Sequence, residues 1–315
     1  MDTWPALPYP DWKDTFETLR LWLQIAGKVR LVRSPWVNHQ WHVTLYVTSR
    51  GLTTSPIPHG VRTFQIDFDF IDQELRIDAS DGRRRTIRLE PQTVARFYRR
   101  VMAMLDELEL PVKINRKPNE VPESIPFDQD ERHKTYDAEA AARFWRALVQ
   151  VDRVFKEFRS RFTGKCSPVH FFWGGGDLAV TRFSGRRAPL HPGGIPNMPD
   201  ELVREAYSHE CSSIGFWPGG EQAPYPFFFA YAYPAPTGFA EASVRPAAAR
   251  FDRSLGEFVL PYDAVRESAD PDATLLDFAQ STYEAAAKLA GWDRAALERP
   301  PIRGRSPNSS GDSDR

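Results

Sequence analysis

The chain has 315 residues, of which 41% are hydrophobic, 26% charged and 13% aromatic. That content excludes a disordered chain, a collagen and a pure coiled coil, and the length fits one large domain or two medium ones. With 41 Lys and Arg against 42 Asp and Glu, the net charge is −1, which excludes a chain-wide basic field for nucleic acid.

No run reaches the roughly 18 apolar residues of a membrane helix. The opening MDTWPALPYPDW has no basic segment leading into an apolar core. No membrane partner and a cytoplasmic location are therefore expected. Cys166 and Cys211 form no CxxC pair and read as two buried thiols in a reducing compartment.

In chain order, Phe16, Leu19, Leu23 and Ala26 line one face of a first helix. Alternation over Val43–Val47 predicts a strand. Phe64, Ile66, Phe68 and Phe70 alternate with Gln65, Asp67 and Asp69, a half-buried strand. Leu75 and Ile77 follow, and Asp81-Gly82 turns the chain toward Ile87 and Leu89. Val94, Phe97, Val101, Met104 and Leu108 mark a second helix, with Pro91 in its first turn. A third carries Phe144, Leu148, Val151, Phe155, Phe158 and Phe162, with Asp137 as N-cap. Strands are expected at Val169–Trp173, Leu178–Phe183, Ile214–Trp217, Pro226–Tyr233 and Phe258–Leu260. Leu275, Phe278, Thr282, Ala286 and Leu289 mark a fourth helix, entered by Pro271 and closed by Gly291.

Runs of antiparallel strands flanked by helices predict an α+β fold. No GxGxxG or GxxxxGK[ST] loop occurs, so nucleotide folds built on them lose support. The halves resemble each other: at one common offset, Arg20, Gln24, Arg33, Ser34, Val43 and Leu52 fall on Arg146, Gln150, Arg159, Ser160, Val169 and Leu178. An internal duplication is expected. It divides the chain into a first α+β half (1–110), a linker rich in Pro, Glu and Asp (111–136), a second α+β half (137–298) and a disordered tail (299–315).

The densest polar constellation lies between His170 and Trp217. It holds His170, Trp173, Gly174-Gly175-Gly176, Asp177, Arg182, Arg186, Arg187, His191, His209, Glu210 and Trp217. The first half has Thr44, Gly51 and Pro56 where the second has His170, Asp177 and Arg182, so these ionisable groups exceed what a shared scaffold requires. Arg182, Arg186 and Arg187 can clamp a carboxylate or phosphate with guanidinium forks. His209 or His170 can move a proton near neutral pH, oriented by Asp177 or by Glu210, although Glu210 points away from His209 on a strand. Trp173, Trp217 and Tyr231 would wall the pocket, with His191 beside them. A divalent metal on His170, His191, His209 and a carboxylate is the alternative, and the spacings match no standard metal motif.

Two lesser candidates are Asn38-His39-Gln40-Trp41-His42, a contribution from the first half across the interface of the repeats, and Asp67 with Asp69, whose bland reading is a solvated sheet face. Gly82-Arg83-Arg84-Arg85 is the one local hint of nucleic-acid binding, and its footprint is small.

The stretches GLTTSPIPHG, QIDFDFIDQELRI, GKCSPVHFFWGGGDLAVTRFSGRRAPLHPGG, EAYSHECSSIGFWPGG and PYPFFFAYAYPAP resemble the bacterial DUF5996 family, a domain of unknown function, over about Trp4 to Leu297. The resemblance implies one family-length unit of bacterial type and brings no activity, cofactor or site residue with it. The residues themselves predict a cytosolic enzyme acting on a small anionic metabolite through a His/Asp/Arg pocket in the second half. The competing expectation is a non-catalytic module binding a small molecule or a protein through its aromatic residues. Oligomeric state is not fixed by the sequence.

Overall fold

The computed structural model describes residues 3–121, 123–194, 198–221 and 223–300. The tail expected from Arg299 therefore lies, from 301 onward, outside the described residues.

The first half opens with a 25-residue helix, α1 (Tyr9–Arg33), with Pro10 in its first turn, where a missing N–H leaves nothing unpaired. Leu19, Trp22, Leu23, Ile25 and Val29 are all fully buried. A helix covered on every side sits at the centre of a molecule rather than on its surface. Six strands follow: β1 (Tyr46–Val47), β2 (Gly51–Thr53), β3 (Ile57–His59), β4 (Arg62–Asp69), β5 (Glu74–Ala79) and β6 (Arg84–Arg88). The helix α2 (Val94–Glu107) closes the half. The sheet is antiparallel in the order β1-β2-β4-β5-β6, and β3 pairs with β4 along the same edge as β2. Phe64, Ile66 and Phe68 are buried, as their alternation requires.

A strap over 111–136 crosses to the second half. It buries Val112, Phe127 and Tyr136. Helix α3 (Ala138–Ser160) starts where expected, with the Asp137 carboxylate accepting from the amides of Glu139 and Ala140. Then come β7 (His170–Phe172), β8 (Asp177–Arg187), α4 (Asp200–Ala206), β9 (His209–Trp217), β10 (Phe227–Tyr233), β11 (Arg250–Asp252), β12 (Glu257–Pro261), α5 (Tyr262–Arg266), α6 (Pro271–Leu289) and α7 (Arg294–Leu297). The second sheet is antiparallel in the order β11-β12-β10-β9-β8-β7.

The fold is α+β, with both sheets antiparallel. The four long helices fall where periodicity places them. The short elements β3, β11, α4, α5 and α7 carry too few residues to show a period. The strand expected over Val43–Val47 pairs only from Leu45 onward. There Leu45 and Phe171 each donate a backbone N–H to the other's carbonyl, both at 2.9 Å, joining the two sheets edge to edge. Among the described residues no helix is long and apolar enough to cross a membrane.

Candidate functional site

Strand alternation divides the second sheet into two unlike faces. Leu178, Val180, Phe216, Phe228 and Leu260 point to one face and are fully buried, where α3, α5 and α6 pack on β8, β9, β10 and β12. The opposite face carries His170, Ala179, Gly215, Phe229 and Val259 in one cross-strand row. Ser213 and Tyr231 face each other in the next row, with Thr181 on the far side of Ser213. On this face Phe172, Asp177, Thr181, Trp217, Phe229, Tyr231, Tyr233 and Glu257 are only half-buried. Central strands of a sheet with an open, aromatic and ionisable face form the feature that stands out from the rest of the surface.

The rim comes from three places. From the first half, Tyr46 places its hydroxyl 3.4 Å from His170 Nε2, and Trp41 meets the His170 ring edge-on at 5.8 Å. From the loop after α4, the Tyr207 hydroxyl lies 3.0 Å from that of Tyr231, and its ring stacks on His191 at 4.9 Å. At the far end of β8 an irregularity falls between Phe183 and Arg187. Gly185 adopts φ +88° there, so Arg187 is brought opposite His209.

One end of the face is cationic. His39, 5% exposed, lies edge-on to His209 at 5.7 Å between ring centres. Its Nδ1 donates to the Ala206 carbonyl at 2.9 Å, and its Nε2 is 2.7 Å from Lys165 Nζ. Lys165 also sits 5.2 Å from the Trp41 ring centre and 5.3 Å from that of Phe183. The Glu205 carboxylate accepts from the His39 amide at 2.5 Å and from Gln40 Nε2 at 3.2 Å. It holds two consecutive non-glycine residues in the left-handed region, His39 at φ 61° and Gln40 at φ 59°. Burial lowers the pKa of His209, and the neighbouring Lys165 and Arg187 charges push it the same way. The Arg187 backbone pairs with His209 in the ladder, while its side chain is exposed and makes no hydrogen bond or ion pair among the described residues.

The other end is acidic and deep. Burial pushes the Asp177 carboxyl up to about 8, and the Glu120 carboxylate adds to the rise. Glu120 reaches in from the strap and lies over Gly174 and Gly175, so a Cβ at Gly174 would stand 2.1 Å from its carboxylate. Glu257 is raised to about 7, again by burial first. His170 goes the other way, to about 3, because burial and the Arg30 and Arg159 charges disfavour its cation.

Of the residues singled out from sequence, His170, Asp177, Trp217, Tyr231 and His209 therefore share this face or its ends, with His191 on its rim. Trp173 does not. It is buried against Gly27 of α1, and its Nε1 donates to the Val43 carbonyl. Arg182 goes to the opposite face, because its number is even where Asp177 and Thr181 are odd. It is 0% exposed and lies between the rings of Phe158, Phe162 and Tyr283. There it donates to the Phe158 carbonyl. Arg186 and Glu210 also leave the face and pair with each other at 2.7 Å, and Arg186 caps the Ala290 carbonyl at the end of α6. No cluster of three His, Cys, Asp or Glu placed for a metal occurs among the described residues.

The lesser candidates resolve in different ways. Asp69 is completely buried, bound by Arg50 and Arg76 and by the amides of Ile71 and Asp72. It is therefore a structural carboxylate, unlike the solvated one expected. Arg83, Arg84 and Arg85 are tied to Asp81, Asp78 and Glu107. Lys165, Tyr207, Glu205, Glu257 and Glu120 were missed. Glu257 shares the period of β12, a signal the sequence does contain, whereas Lys165 lies in the irregular segment before β7. Glu120 meets Asp177 only through the course of the strap.

Among the described residues, cavities also lie elsewhere. One of about 180 Å³ is lined by Glu210, Cys211, Tyr233, Pro234, Ala286 and Trp292. A wide depression of about 600 Å³ lies beside the start of α2, with Arg96, Arg99 and Lys134 on its rim. The first amides of α2 are not free for an anion there. Those of Val94, Ala95 and Arg96 donate to His133, Asp130 and Thr93.

No curated protein and no solved structure matches the chain. A family model does match, over residues 4–299, that of a family of unknown function (DUF5996), and the chain belongs to that family.

Proposed function

We propose that this member of the family acts on a small anionic metabolite held on the open face of its second sheet, as an enzyme in which His209 moves a proton. The observation that carries the reading is the meeting of Arg187, His209, His39 and Lys165 at one end of an aromatic, half-open sheet face. Arg187, whose exposed side chain makes no hydrogen bond or ion pair among the described residues, takes the place expected of Arg182, because a guanidinium fork in water can still meet a carboxylate or phosphate bidentately. Trp41, Phe183, Tyr207 and Tyr231 would bound the apolar part of the ligand. Thr181 Oγ1 and Ser213 Oγ, 2.9 Å apart, offer neutral donors on the floor.

His209 suits proton transfer on electrostatic grounds. Burial disfavours its cation and Lys165 and Arg187 add to this, so it stands as a base at neutral pH. An anion bound between them would raise its affinity for a proton as the reaction proceeds.

The test is calorimetric titration of small carboxylates and phosphates into the wild-type protein and into Arg187→Ala and His209→Ala. Binding lost in Arg187→Ala, with turnover lost in His209→Ala, supports the enzyme. A bound compound recovered unchanged, its affinity indifferent to His209, replaces it with a binding protein. Affinity unaffected by Arg187→Ala rejects the site.

A further inference from the structure

The contact between Lys165 and His39 has the form of a nucleophile beside its base. The Ala206 carbonyl can only accept, so His39 Nδ1 carries a proton. In the neutral ring that leaves the Nε2 lone pair facing Lys165 Nζ, 2.7 Å away. Two nitrogens at that separation cannot both hold a full complement of protons, so the pair shares one. The three-part order of amine, imidazole and orienting acceptor is the arrangement that activates nucleophiles elsewhere. Lys165 is exposed, so a reagent reaches it, whereas His39 is buried behind it. The His39 backbone is held left-handed by Glu205 to make this contact, which is the kind of strain that a purely structural loop gains nothing from keeping.

We propose that Lys165 is a nucleophilic amine, with His39 as its base, that forms an imine with a small oxo acid: an aldehyde or ketone bearing a carboxylate or phosphate. The choice of an anionic carbonyl compound rests on the ligand reading above, since His209 lies near the amine with Arg187 beyond it. The step balances without a co-reactant. His39 Nε2 takes a proton from the Lys165 ammonium, and Nζ attacks the carbonyl carbon to form the C–N bond. A proton passes from the nitrogen to the alkoxide to give the carbinolamine, and His39 then returns its proton to that hydroxyl, which departs as water and leaves a protonated imine. The charged groups facing Nζ are His39, His209 and Glu205, with Arg187 beyond His209. Burial lowers the Lys165 pKa, and Glu205 alone works against that.

Two measurements on the full chain test this separately from ligand binding. In the first, limiting acetyl N-hydroxysuccinimide at neutral pH is followed by peptide mass mapping. Lys165 is expected to acylate several-fold faster than Lys117, Lys134 and Lys288, and His39→Gln should bring it down to their rate. Equal rates in the wild type overturn the proposal, and that comparison needs no variant to fold. In the second, glyoxylate with sodium borohydride should leave one carboxymethyl group on Lys165 and none in Lys165→Arg. Fast acylation with adducts spread over many lysines overturns the oxo-acid assignment. Fast, selective Lys165 chemistry that persists in Arg187→Ala upholds the nucleophile while removing the anion site.

Discussion

Leu45 and Phe171 form a closed two-hydrogen-bond pair between the outer strands of the two sheets, each residue donating to and accepting from the other. His39 and Lys165, which touch at the open face, are separated in sequence by the same 126 residues. That is also the offset of the sequence matches between the halves, such as Arg20 with Arg146. If the halves are copies, each of these contacts joins a residue to its own equivalent and lies on a two-fold axis. The strand orders agree with such an axis. β1, β2, β4, β5 and β6 answer to β7, β8, β9, β10 and β12, with β2 and β3 together covering the edge of β4 as β8 alone covers that of β9. We infer a duplicated unit closed on itself, with α4 and β11 added to the second copy. Halves that did not superpose by a rotation near two-fold would end that inference.

Edge-to-edge joining makes the halves one folding unit. Besides the Leu45 pair, the Asp137 amide donates to Thr15 Oγ1 of α1, and Gly27 of α1 receives the Trp173 ring. Urea unfolding followed by tryptophan fluorescence and by far-UV circular dichroism should give coincident transitions. Leu45→Pro removes one of the two bridging donors and a buried side chain, at a cost of roughly 3 kcal/mol or more. It should also separate the two signals, since the strands within each sheet are untouched. Two transitions already present in the wild type would show that the joint carries little.

Arg182 offers a test that turns on its misleading chemistry in the sequence. It is buried, with one hydrogen bond to Phe158 and two guanidinium nitrogens unpartnered. Burial lowers its pKa to about 10. The Phe158 carbonyl also accepts from the Arg161 amide, so it is not stranded when Arg182 goes. Arg182→Met keeps most of the volume and removes a desolvated charge, and is expected to be neutral or stabilising by about 1–3 kcal/mol. Arg182→Ala leaves a cavity among Phe158, Phe162 and Tyr283 and should cost about 2–4 kcal/mol. Thermal denaturation of both variants distinguishes this from an arginine that the fold needs as a charge, for which both substitutions would be harmful.

What could be read from the sequence follows the range of the signals. The long helices carry several turns of apolar period, and Asp137 and Asp270 cap helices as their positions suggest. Alternation already implies that Arg182 lies opposite Asp177, and the density of charge in that stretch obscures it. The cationic end was half legible. His39 stood out in its polar run and His209 in another, but their meeting depends on how the two sheets join. Glu120 had no local signal at all, because only the strap brings it to Gly174. Tyr207 and Glu205 belong to a seven-residue helix and its exit, too short for any period.

Asp177 should impose a pH dependence on stability. Its folded pKa, about 8, lies above the ordinary carboxyl value near 3.8. The stability associated with the neutral form is complete below the unfolded value. It is lost as pH rises, because the unfolded chain ionises first. Glu257, at about 7, acts in the same sense. His170 acts oppositely: with a folded value near 3 it contributes above the ordinary imidazole range and is lost on acidification. Between pH 5 and 8, Asp177→Asn should flatten the decline and gain ~2 kcal/mol at pH 8, discounted for its partial exposure to solvent. Denaturant midpoints at the two pH values give the answer. An unchanged slope would mean that Asp177 is already ionised at neutral pH.

The histidine at the cationic end titrates against its neighbours, and this is visible without any ligand. Burial lowers the His209 pKa, and Lys165 and Arg187 both lower it further, while the His39 ring packs edge-on against it. A proton nuclear magnetic resonance titration of the His209 ring should therefore place it below the ordinary histidine value. Lys165→Met removes one of the two repelling charges and should move that titration upward, and Arg187→Met should do the same. An added anion that sits between Arg187 and His209 should raise it further in the wild type and hardly at all in Arg187→Met. If the His209 titration ignores both substitutions, the three side chains do not share a field, and an anion site built from them has no electrostatic basis.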